Sequence, residues 1–299
     1  GMSALVVSAR SRATLVEGGE FCLTLEDFRS IATIMHADAG ISLPENKATL
    51  VYSRLAKRLR ALGLPDFSAY CKLVSGPDGA NERHEMLAAL TTNVTRFFRE
   101  PHHFDHLKTI ILPPLIKQAR QGGRVRIWSS ACSSGQEPYS IGLTILSLMP
   151  DAAKYDIKVL ATDIDPNMVA AAKAGLYDKE ALTPIPADMR QRWFEPAQNG
   201  SGRSRAHNDL RALIECRKLN LIGDWPMRGK FQAIFCRNVV IYFDLPTQEK
   251  IWTRMVPLLE LEGALYLGHS ERVSGPAERA LRSDGITTYR RFTPNCALA

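Results

Sequence analysis

The sequence lacks any long apolar run. The longest clear one, residues 141–149, is much shorter than the roughly 20 residues that a membrane-spanning helix requires. Near the start of the chain, the apolar stretch at residues 4–7 is too brief to be the core of a signal peptide. We therefore expect a cytoplasmic protein that does not insert into a membrane.

The cysteines lack the C-x-x-C pairing and the spacing that are typical of zinc sites. They are scattered along the chain, at Cys22, Cys71, Cys132, Cys216, Cys236 and Cys296. We expect reduced thiols, most of them buried. The histidines His102, His103 and His106 have no acid or thiol at a suitable spacing, so the sequence predicts no metal site.

Positive charge is in excess. The formal net charge of +7 over 299 residues indicates either an acidic partner or a generic basic surface. Nucleic acid and an acidic protein are the two candidate partners. The excess is densest on a helix predicted at residues 46–62, where basic residues lie opposite an apolar stripe. These basic residues are Lys47, Arg54, Lys57, Arg58 and Arg60.

The N-terminal third of the chain shows helical patterns only. The run from Thr24 to Asp27 has the pattern of a capping box, and Gly40 is a stop signal for the helix that follows. Shorter helices are predicted near residues 67–74 and 82–90, and no strand is predicted before residue 95. We expect a flexible tail at residues 1–20 and an all-helical domain at residues 21–95.

From Arg124 onwards, predicted strands alternate with predicted helices. The strands are predicted at residues 124–129, 157–161, 231–235 and 264–267, and the helices at 137–149, from 166 and at 247–261. This alternation favours an α/β fold with a doubly wound, mainly parallel sheet at residues 96–299. Residues 287–292 are expected to add an antiparallel edge strand, and the loop at 199–205 to belong to a small inserted hairpin.

Unusual residues follow the first two strands, where a doubly wound sheet binds its ligands. The loop at residues 129–140 is rich in Ser and Gly but has no G-x-G-x-x-G fingerprint. Glu137 begins the next helix and is either an ordinary first-turn acid or a ligand contact. After the second strand, Asp163 can accept both hydroxyls of a ribose. Asp165 fits better as the cap ahead of Pro166.

Three further stretches complete the pattern: Thr-Thr-Asn-Val-Thr-Arg-Phe-Phe-Arg-Glu at 91–100, Phe-Cys-Arg-Asn-Val-Val-Ile-Tyr-Phe-Asp at 235–244, and Gly-His-Ser-Glu at 268–271. Together with the two loops above, they closely resemble the CheR family of chemoreceptor methyltransferases, over about residues 21–292. The resemblance implies a Rossmann-like class I methyltransferase domain with a small inserted antiparallel β-subdomain, about 178–218. A small all-α N-terminal domain would precede it.

The resemblance also implies S-adenosylmethionine as the cofactor, S-adenosylhomocysteine as the product, and glutamate side chains of chemoreceptors as the substrate. It places Asn93, Thr95 and Arg99 at the methionine end of the cofactor, with Glu137 near its amino group. It places Asp163 at the ribose, and Asn220, Leu221, Cys236 and Arg237 on the adenosine side. Arg99 and Tyr242 would lie beside the transferred methyl group.

The substrate would be the acidic methylation segment in the cytoplasmic helical domain of a receptor. The resemblance implies that the basic helix, with Arg54, Lys57 and Arg58, faces this segment. The alternative is that the basic residues only form a solvent-exposed face without a partner. Some family members also bind a receptor C-terminal peptide through a glycine-containing loop. The glycines are present at 200 and 202, but the stretch before Asp209 is short, so we expect a tether-independent enzyme.

Two other functions compete with this interpretation. A nucleic-acid methyltransferase would interleave basic residues with stacking aromatics, but the basic helix carries only Tyr52. A cofactor-binding sensor without catalysis would not need Arg99, Glu137, Asp163 and Tyr242 together. We therefore expect an enzyme that does not act on nucleic acid.

Overall fold

The computed structural model describes residues 13–16, 18–91 and 95–293, which fall into two compact units. The first unit runs to Asn93 and also includes Tyr242–Asp244, and the second comprises Val94–Ile241 and Leu245–Ala299. In these described ranges, no helix has the length and apolar character needed to cross a membrane. Most of the expected tail at residues 1–20 lies outside the described residues.

The first unit is mainly helical, as predicted. Its helices are α1 (Leu25–Ala39), α2 (Ala48–Leu62), α3 (Phe67–Ser75) and α4 (Ala80–Leu90). The capping box is confirmed, because the Thr24 hydroxyl accepts the Asp27 N–H at 3.1 Å and the Asp27 carboxylate accepts the Thr24 N–H at 3.5 Å. Gly40 and Gly63 end α1 and α2 in the left-handed conformation that glycine adopts readily.

Short extended segments in this unit depart from the prediction that no strand precedes residue 95. Strand β1 (Thr14–Val16) pairs antiparallel with β2 (Leu23–Thr24). Residues from much later in the chain also join the unit: Ile41 forms an antiparallel bridge with Phe243, and the Ser42 N–H donates to the Tyr242 carbonyl at 2.8 Å. Segments this short carry no period-two pattern, so they cannot be recognised from the sequence.

A partly buried ion pair between Arg58 and Glu82 holds α2, α3 and α4 together. Arg58 donates from Nε and Nη2 to the two oxygens of Glu82, at 2.9 and 2.7 Å, and the Tyr70 hydroxyl donates to Glu82 Oε1 at 2.8 Å. Glu82 is only 7% exposed. The hydrogen bond with Glu82 raises the pKa of Arg58, and burial raises the pKa of Tyr70. Arg58 therefore has a structural partner inside its own unit.

The second unit is built on a seven-stranded sheet in the order β11-β12-β10-β9-β3-β4-β8. The strands are β3 (Val125–Ser129), β4 (Ile157–Asp163), β8 (Ile214–Lys218), β9 (Phe231–Cys236), β10 (Leu259–Leu267), β11 (Leu281–Gly285) and β12 (Thr288–Arg291). Neighbours from β10 through β8 run parallel, whereas β12 is antiparallel to β10 and β11. The predicted α/β fold with a mainly parallel sheet is thus confirmed.

Helices connect these strands. They are α5 (Pro101–His106), α6 (Leu112–Arg120), α7 (Gln136–Leu148), α8 (Pro166–Ala174), α9 (Ala187–Trp193), α10 (Asn208–Arg211) and α11 (Leu245–Met255). A separate small antiparallel sheet has the order β5-β7-β6, formed by β5 (Leu176–Tyr177), β7 (Ser204–Ala206) and β6 (Phe194–Pro196). The hairpin expected around residues 199–205 is present as β6 and β7.

Several element boundaries differ from the predictions. The helix predicted at 247–261 ends at Met255, and residues from Leu259 onward belong to β10. The insertion predicted at 178–218 differs at both ends, because β5 starts at Leu176 and β8 belongs to the main sheet. Strand β12 is not the edge strand, because β11 lies outside it. Strands β8 and β11 contain several charged residues, so they were not predicted from apolar runs.

The strand order changes direction between β3 and β9. From β3 the chain adds β4 and then β8 on one side, and then returns to place β9 and β10 on the other side. In an open α/β sheet, the crevice beyond the carboxyl ends of the strands at such a point is the usual ligand site. The fold therefore directs attention to the residues that follow β3 and β9.

The Glu82 cluster yields a stability prediction. Glu82→Gln removes the charge that Arg58 contacts with two hydrogen bonds, and we expect a loss of about 2 kcal/mol in the free energy of unfolding. Urea denaturation followed by circular dichroism measures this loss. Glu45→Gln is the matched control, because Glu45 forms an exposed pair with Arg29 at 3.5 Å. Equal stability of the two variants would contradict a structural role for Glu82.

Candidate active site

The carboxyl ends of the parallel strands place the sequence motifs at one edge of the sheet. Because β3, β4, β8, β9 and β10 run in the same direction, the residues after each strand emerge at that edge. These residues are Ser130 after β3, Ile164 after β4, Leu219 after β8, Arg237 after β9 and Gly268 after β10. Most of the predicted cofactor residues lie in or beside these segments.

Asp163 ends β4 and is 7% exposed. Its Oδ2 accepts the Ser133 N–H at 2.9 Å and its Oδ1 accepts the Asp165 N–H at 3.0 Å. Burial raises the pKa of Asp163, and these backbone hydrogen bonds oppose the shift. A carboxylate has about four acceptor sites, so Asp163 keeps capacity for a further donor. Asp165 caps α8 as predicted, by accepting the Asn167 N–H at 2.8 Å.

Glu137 lies in the first turn of α7 and joins the two strands at the switch point. Its Oε1 accepts the hydroxyl of Ser129, the last residue of β3, at 2.6 Å. Its Oε2 accepts Nε–H of Arg237, the first residue after β9, at 2.8 Å. Both Glu137 and Arg237 are buried. The carboxylate is therefore fixed in place, and its remaining lone pairs can accept a further donor.

Arg237 also fixes the segment that carries Arg99. Its Nη1 donates to the Arg99 carbonyl at 2.6 Å and lies 3.1 Å from Nδ1 of His103. Next to Arg99, both Phe98 and Glu100 have positive φ values, 54° and 56°. The Phe98 N–H donates to Ser140 Oγ at 3.0 Å. Non-glycine residues held in this region are concentrated at functional sites.

The predicted residues at the methionine end are only partly placed. Thr95 is half-buried and lies on the same segment as Arg99. Asn93 lies outside the described residues. Tyr242 belongs to the first unit, and its predicted role beside the methyl group stays a prediction.

The Asn220–Leu221 segment follows β8 and is fastened at several points. The Leu219 N–H donates to the Asp163 carbonyl at 2.9 Å, which brings this segment beside the end of β4. The Leu221 carbonyl accepts Nε1–H of Trp225 at 3.0 Å and Nη1–H of Arg254 at 3.1 Å. The guanidinium of Arg254 lies 4.0 Å from the Trp225 ring centroid. These contacts hold the backbone of the Asn220–Leu221 segment, which is predicted to border the adenosine, in one conformation.

Cys236 is the last residue of β9, and its side chain is fully buried. Burial raises the pKa of the Cys236 thiol well above its usual range. Its backbone is thus the part that can face a ligand.

Glu271 is the residue that the sequence analysis missed. Its carboxylate accepts N–H groups from Gly268, Asn238, Val239, Val240 and Ile241, at 2.5 to 3.2 Å. Burial raises the pKa of Glu271, against the effect of these hydrogen bonds. A Cβ on Gly268 would lie 2.7 Å from Glu271 Oε1, so this position requires glycine. Glu271 thereby holds the loop after β9, and its place in the Gly-His-Ser-Glu motif was the available signal.

The predicted substrate-binding residues all lie on α2. Lys57 is exposed, whereas Arg54 is half-buried and donates to the Ala89 carbonyl at 3.3 Å. Arg58 is engaged by Glu82, as described above. Lys57 is therefore the residue of this set whose charge is presented on the surface.

The residues at the sheet edge fit S-adenosylmethionine. Asp163 has free acceptor capacity for a ribose, and Glu137 has it for an ammonium group. In addition, Glu100 Oε2 is buried without a hydrogen-bond donor, 3.7 Å from Arg237 Nη1. A buried carboxylate oxygen without a donor is available to accept a hydrogen bond from a ligand. No cluster of three or more metal-binding side chains occurs in the part of the chain that the structure describes.

Comparison with known proteins gives matches along most of the chain. Residues 26–91 match the all-alpha domain of CheR methyltransferase, and residues 93–289 match the SAM binding domain of CheR methyltransferase. A probable chemotaxis protein methyltransferase from Rhizobium etli is 57% identical over 87% of this chain and 97% of its own length. Chemotaxis protein methyltransferase 2 from Pseudomonas aeruginosa is 42% identical, over 90% of this chain and 94% of its own.

The chemotaxis protein methyltransferase of Escherichia coli is 40% identical over 89% of this chain and 92% of its own length. These matches agree with the sheet and with the resemblance carried by the sequence motifs. The chain belongs to the CheR methyltransferase family and is a methyltransferase with an S-adenosylmethionine-binding domain.

Proposed function

We propose that this protein methylates glutamate side chains in the cytoplasmic helical domain of chemoreceptors, and forms glutamate methyl esters and S-adenosylhomocysteine. The observation that carries the proposal is the arrangement at the switch point, where Glu137 and Arg237 form a buried pair, with Asp163 at the end of the next strand. The names of the relatives support a chemotaxis substrate.

The chemistry requires positioning more than proton transfer. S-adenosylmethionine supplies an electrophilic methyl group on a sulfonium. A glutamate carboxylate has an ordinary pKa of about 4.3 and is already ionised at neutral pH, so the protein needs no general base. The carboxylate oxygen forms a bond to carbon while the carbon–sulfur bond breaks, which leaves a methyl ester and a neutral thioether. Alignment of two reactants lowers such a barrier by about 7–11 kcal/mol.

Residues of this chain would align the two reactants. Asp163 would accept the ribose hydroxyls, Glu137 would accept the amino group, and Thr95 and Asn93 would flank the methionine end. Asn220, Leu221 and Cys236, with Arg237, would border the adenosine. Arg99 would orient the substrate carboxylate through its planar guanidinium, and Tyr242 would donate one hydrogen bond to it.

The charge of the first unit supports an acidic protein partner. Lys57 lies exposed on α2, and it would attract the acidic methylation segment of a receptor. A nucleic-acid substrate is less well supported, because Tyr52 is occupied: its hydroxyl accepts the Phe21 N–H at 3.0 Å and its ring packs against Phe67. Tyr52 is the one aromatic side chain on this helix, so no stacking platform accompanies the positive charge.

Transfer of a radioactive methyl group tests the proposal. Incubation with labelled S-adenosylmethionine and a purified receptor cytoplasmic fragment should give label that alkali releases, and peptide mapping should place it on glutamate. Arg99→Lys and Tyr242→Phe should each lower kcat about 10-fold or more, because each loses hydrogen bonding to the carboxylate. Label on RNA alone, or alkali-stable label on the receptor fragment, would refute the proposal.

Asp163→Asn tests the ribose contact. The substitution removes the charge that would accept the two hydroxyls, so we expect the Kd for S-adenosylhomocysteine to rise about 10-fold or more, as measured by calorimetry. Asp165→Asn is the matched control, because asparagine caps a helix as well as aspartate does. Asp165→Asn should therefore keep both the affinity and the stability. An unchanged Kd in Asp163→Asn would remove Asp163 from the site.

Lys57→Glu tests the substrate surface. Reversal of this charge should lower kcat/KM for the receptor fragment about 10-fold at low ionic strength, and the deficit should shrink as salt is added. Lys72→Glu on α3 is the control, since Lys72 is also exposed and belongs to the same unit. Affinity for S-adenosylhomocysteine should stay unchanged in both variants. Equal effects of the two reversals would show that only overall charge matters.

A further inference from the structure

His103 on α5 is fully buried and lies between Arg237 and the turn that joins β11 to β12. Its Nδ1 is 3.1 Å from Arg237 Nη1, and its Nε2 is 2.8 Å from Thr287 Oγ1. Its ring lies 5.1 Å from that of Tyr266, centroid to centroid. Neither the sequence motifs nor the proposed chemistry assigns a function to this histidine.

The hydrogen-bond network determines which nitrogen of His103 carries the proton. The Thr287 hydroxyl donates to the Ile286 carbonyl at 2.8 Å, so its oxygen is free to accept from Nε2–H. Arg237 can only donate, so Nδ1 must be unprotonated and accept. Burial, together with the charge of Arg237, lowers the pKa of His103 to about 3, which agrees with a neutral ring.

The residue that accepts from His103 is held in an unfavourable backbone conformation. Thr287 has φ 49°, and a β-branched residue rarely adopts this left-handed region. Such outliers persist only where the surrounding structure imposes them, and they are concentrated at functional positions. At Thr287 the outlier coincides with the contact that sets the His103 tautomer.

We propose that His103 is a positioning residue for cofactor binding, and that Thr287 holds it in the tautomer that accepts from Arg237. The relay runs from Thr287 through His103 to Arg237, and from there to Glu137 and the Arg99 carbonyl. It fixes the guanidinium in the orientation that both of those groups require. The inference rests on the proposed role of Glu137 in cofactor binding, and it adds to the site a residue and a hairpin turn with no direct ligand contact.

A neutral acceptor at this position also suits the local charge. Glu100 Oε1 lies 3.7 Å from His269 Nδ1. Glu100 Oε2 lies 3.7 Å from Arg237 Nη1 and 3.8 Å from His103 Nδ1. With His103 neutral, the carboxylates of Glu100 and Glu137 outnumber the guanidinium of Arg237. An extra negative charge is what a cationic donor such as S-adenosylmethionine requires, whereas a protonated His103 would cancel it.

Paired substitutions at residue 103 test the relay. His103→Leu removes the acceptor, and we expect the Kd for S-adenosylhomocysteine to rise about 10-fold, with a higher KM for S-adenosylmethionine. His103→Asn places Oδ1 near the former position of Nδ1, so its Kd should stay within about threefold of the native value. Thr287→Val should weaken binding in the same direction as His103→Leu, and Thr287→Ser should not.

Nitrogen NMR of the native protein labelled in histidine supplies a readout that is independent of activity and of refolding. His103 should show a protonated Nε2 and an unprotonated Nδ1, unchanged between pH 6 and 8. A protonated Nδ1, native affinity in His103→Leu, or equal losses in His103→Asn and His103→Leu would each overturn the inference and leave the proposed function intact. Absence of S-adenosylhomocysteine binding by the native protein would overturn both.

Discussion

The buried guanidinium of Arg237 is the interaction on which the candidate site depends. Its side chain is 3% exposed and lies over the rings of Phe104 and Phe235, with carbon-to-centroid distances of 5.2 and 5.6 Å. A charge in such surroundings is tolerated only when its donors are matched by acceptors. Glu137, the Arg99 carbonyl and His103 accept from three of its N–H groups. The requirement to satisfy one cation thus brings together the ends of β3 and β9 and the segment before α5.

Buried carboxylates in this protein have two different roles. Glu82 accepts three hydrogen bonds and Glu271 five from the protein itself, which makes them structural. Asp163 and Glu137 are also buried, but each retains acceptor capacity at the open edge of the sheet. The number of donors already present therefore distinguishes an acid that fixes a loop from one that can hold a ligand. Residue type and burial alone do not.

Sequence reasoning succeeded where the signal was local. The cap at Thr24, the stop at Gly40 and the cap at Asp165 all depend on residues within a few positions of one another. The α/β fold followed from the alternation of apolar runs. The family resemblance supplied the cofactor, which no composition or spacing could have supplied.

The remaining features depend on contacts between distant residues. Arg58 was placed on a basic surface, but its partner Glu82 is 24 positions away. Glu271 collects N–H groups from residues about 30 positions earlier. The charged strands β8 and β11 are specified by the neighbours with which they pair rather than by their own composition. Such pairings cannot be read from periodicity, because the partner is fixed only after the chain has folded.

The distance along the chain between His103 and Thr287, 184 residues, has a consequence for biosynthesis. A ribosome adds residues at about 5–20 per second, so the β11–β12 turn emerges many seconds after α5 has been made. Until then the imidazole lacks the hydroxyl that sets its tautomer. Nascent chains that stall before this hairpin would contain the motifs at 91–100, 129–140, 235–244 and 268–271 and yet lack the proposed relay. Under the proposed relay, competence to bind the methyl donor therefore waits for synthesis of the β11–β12 turn.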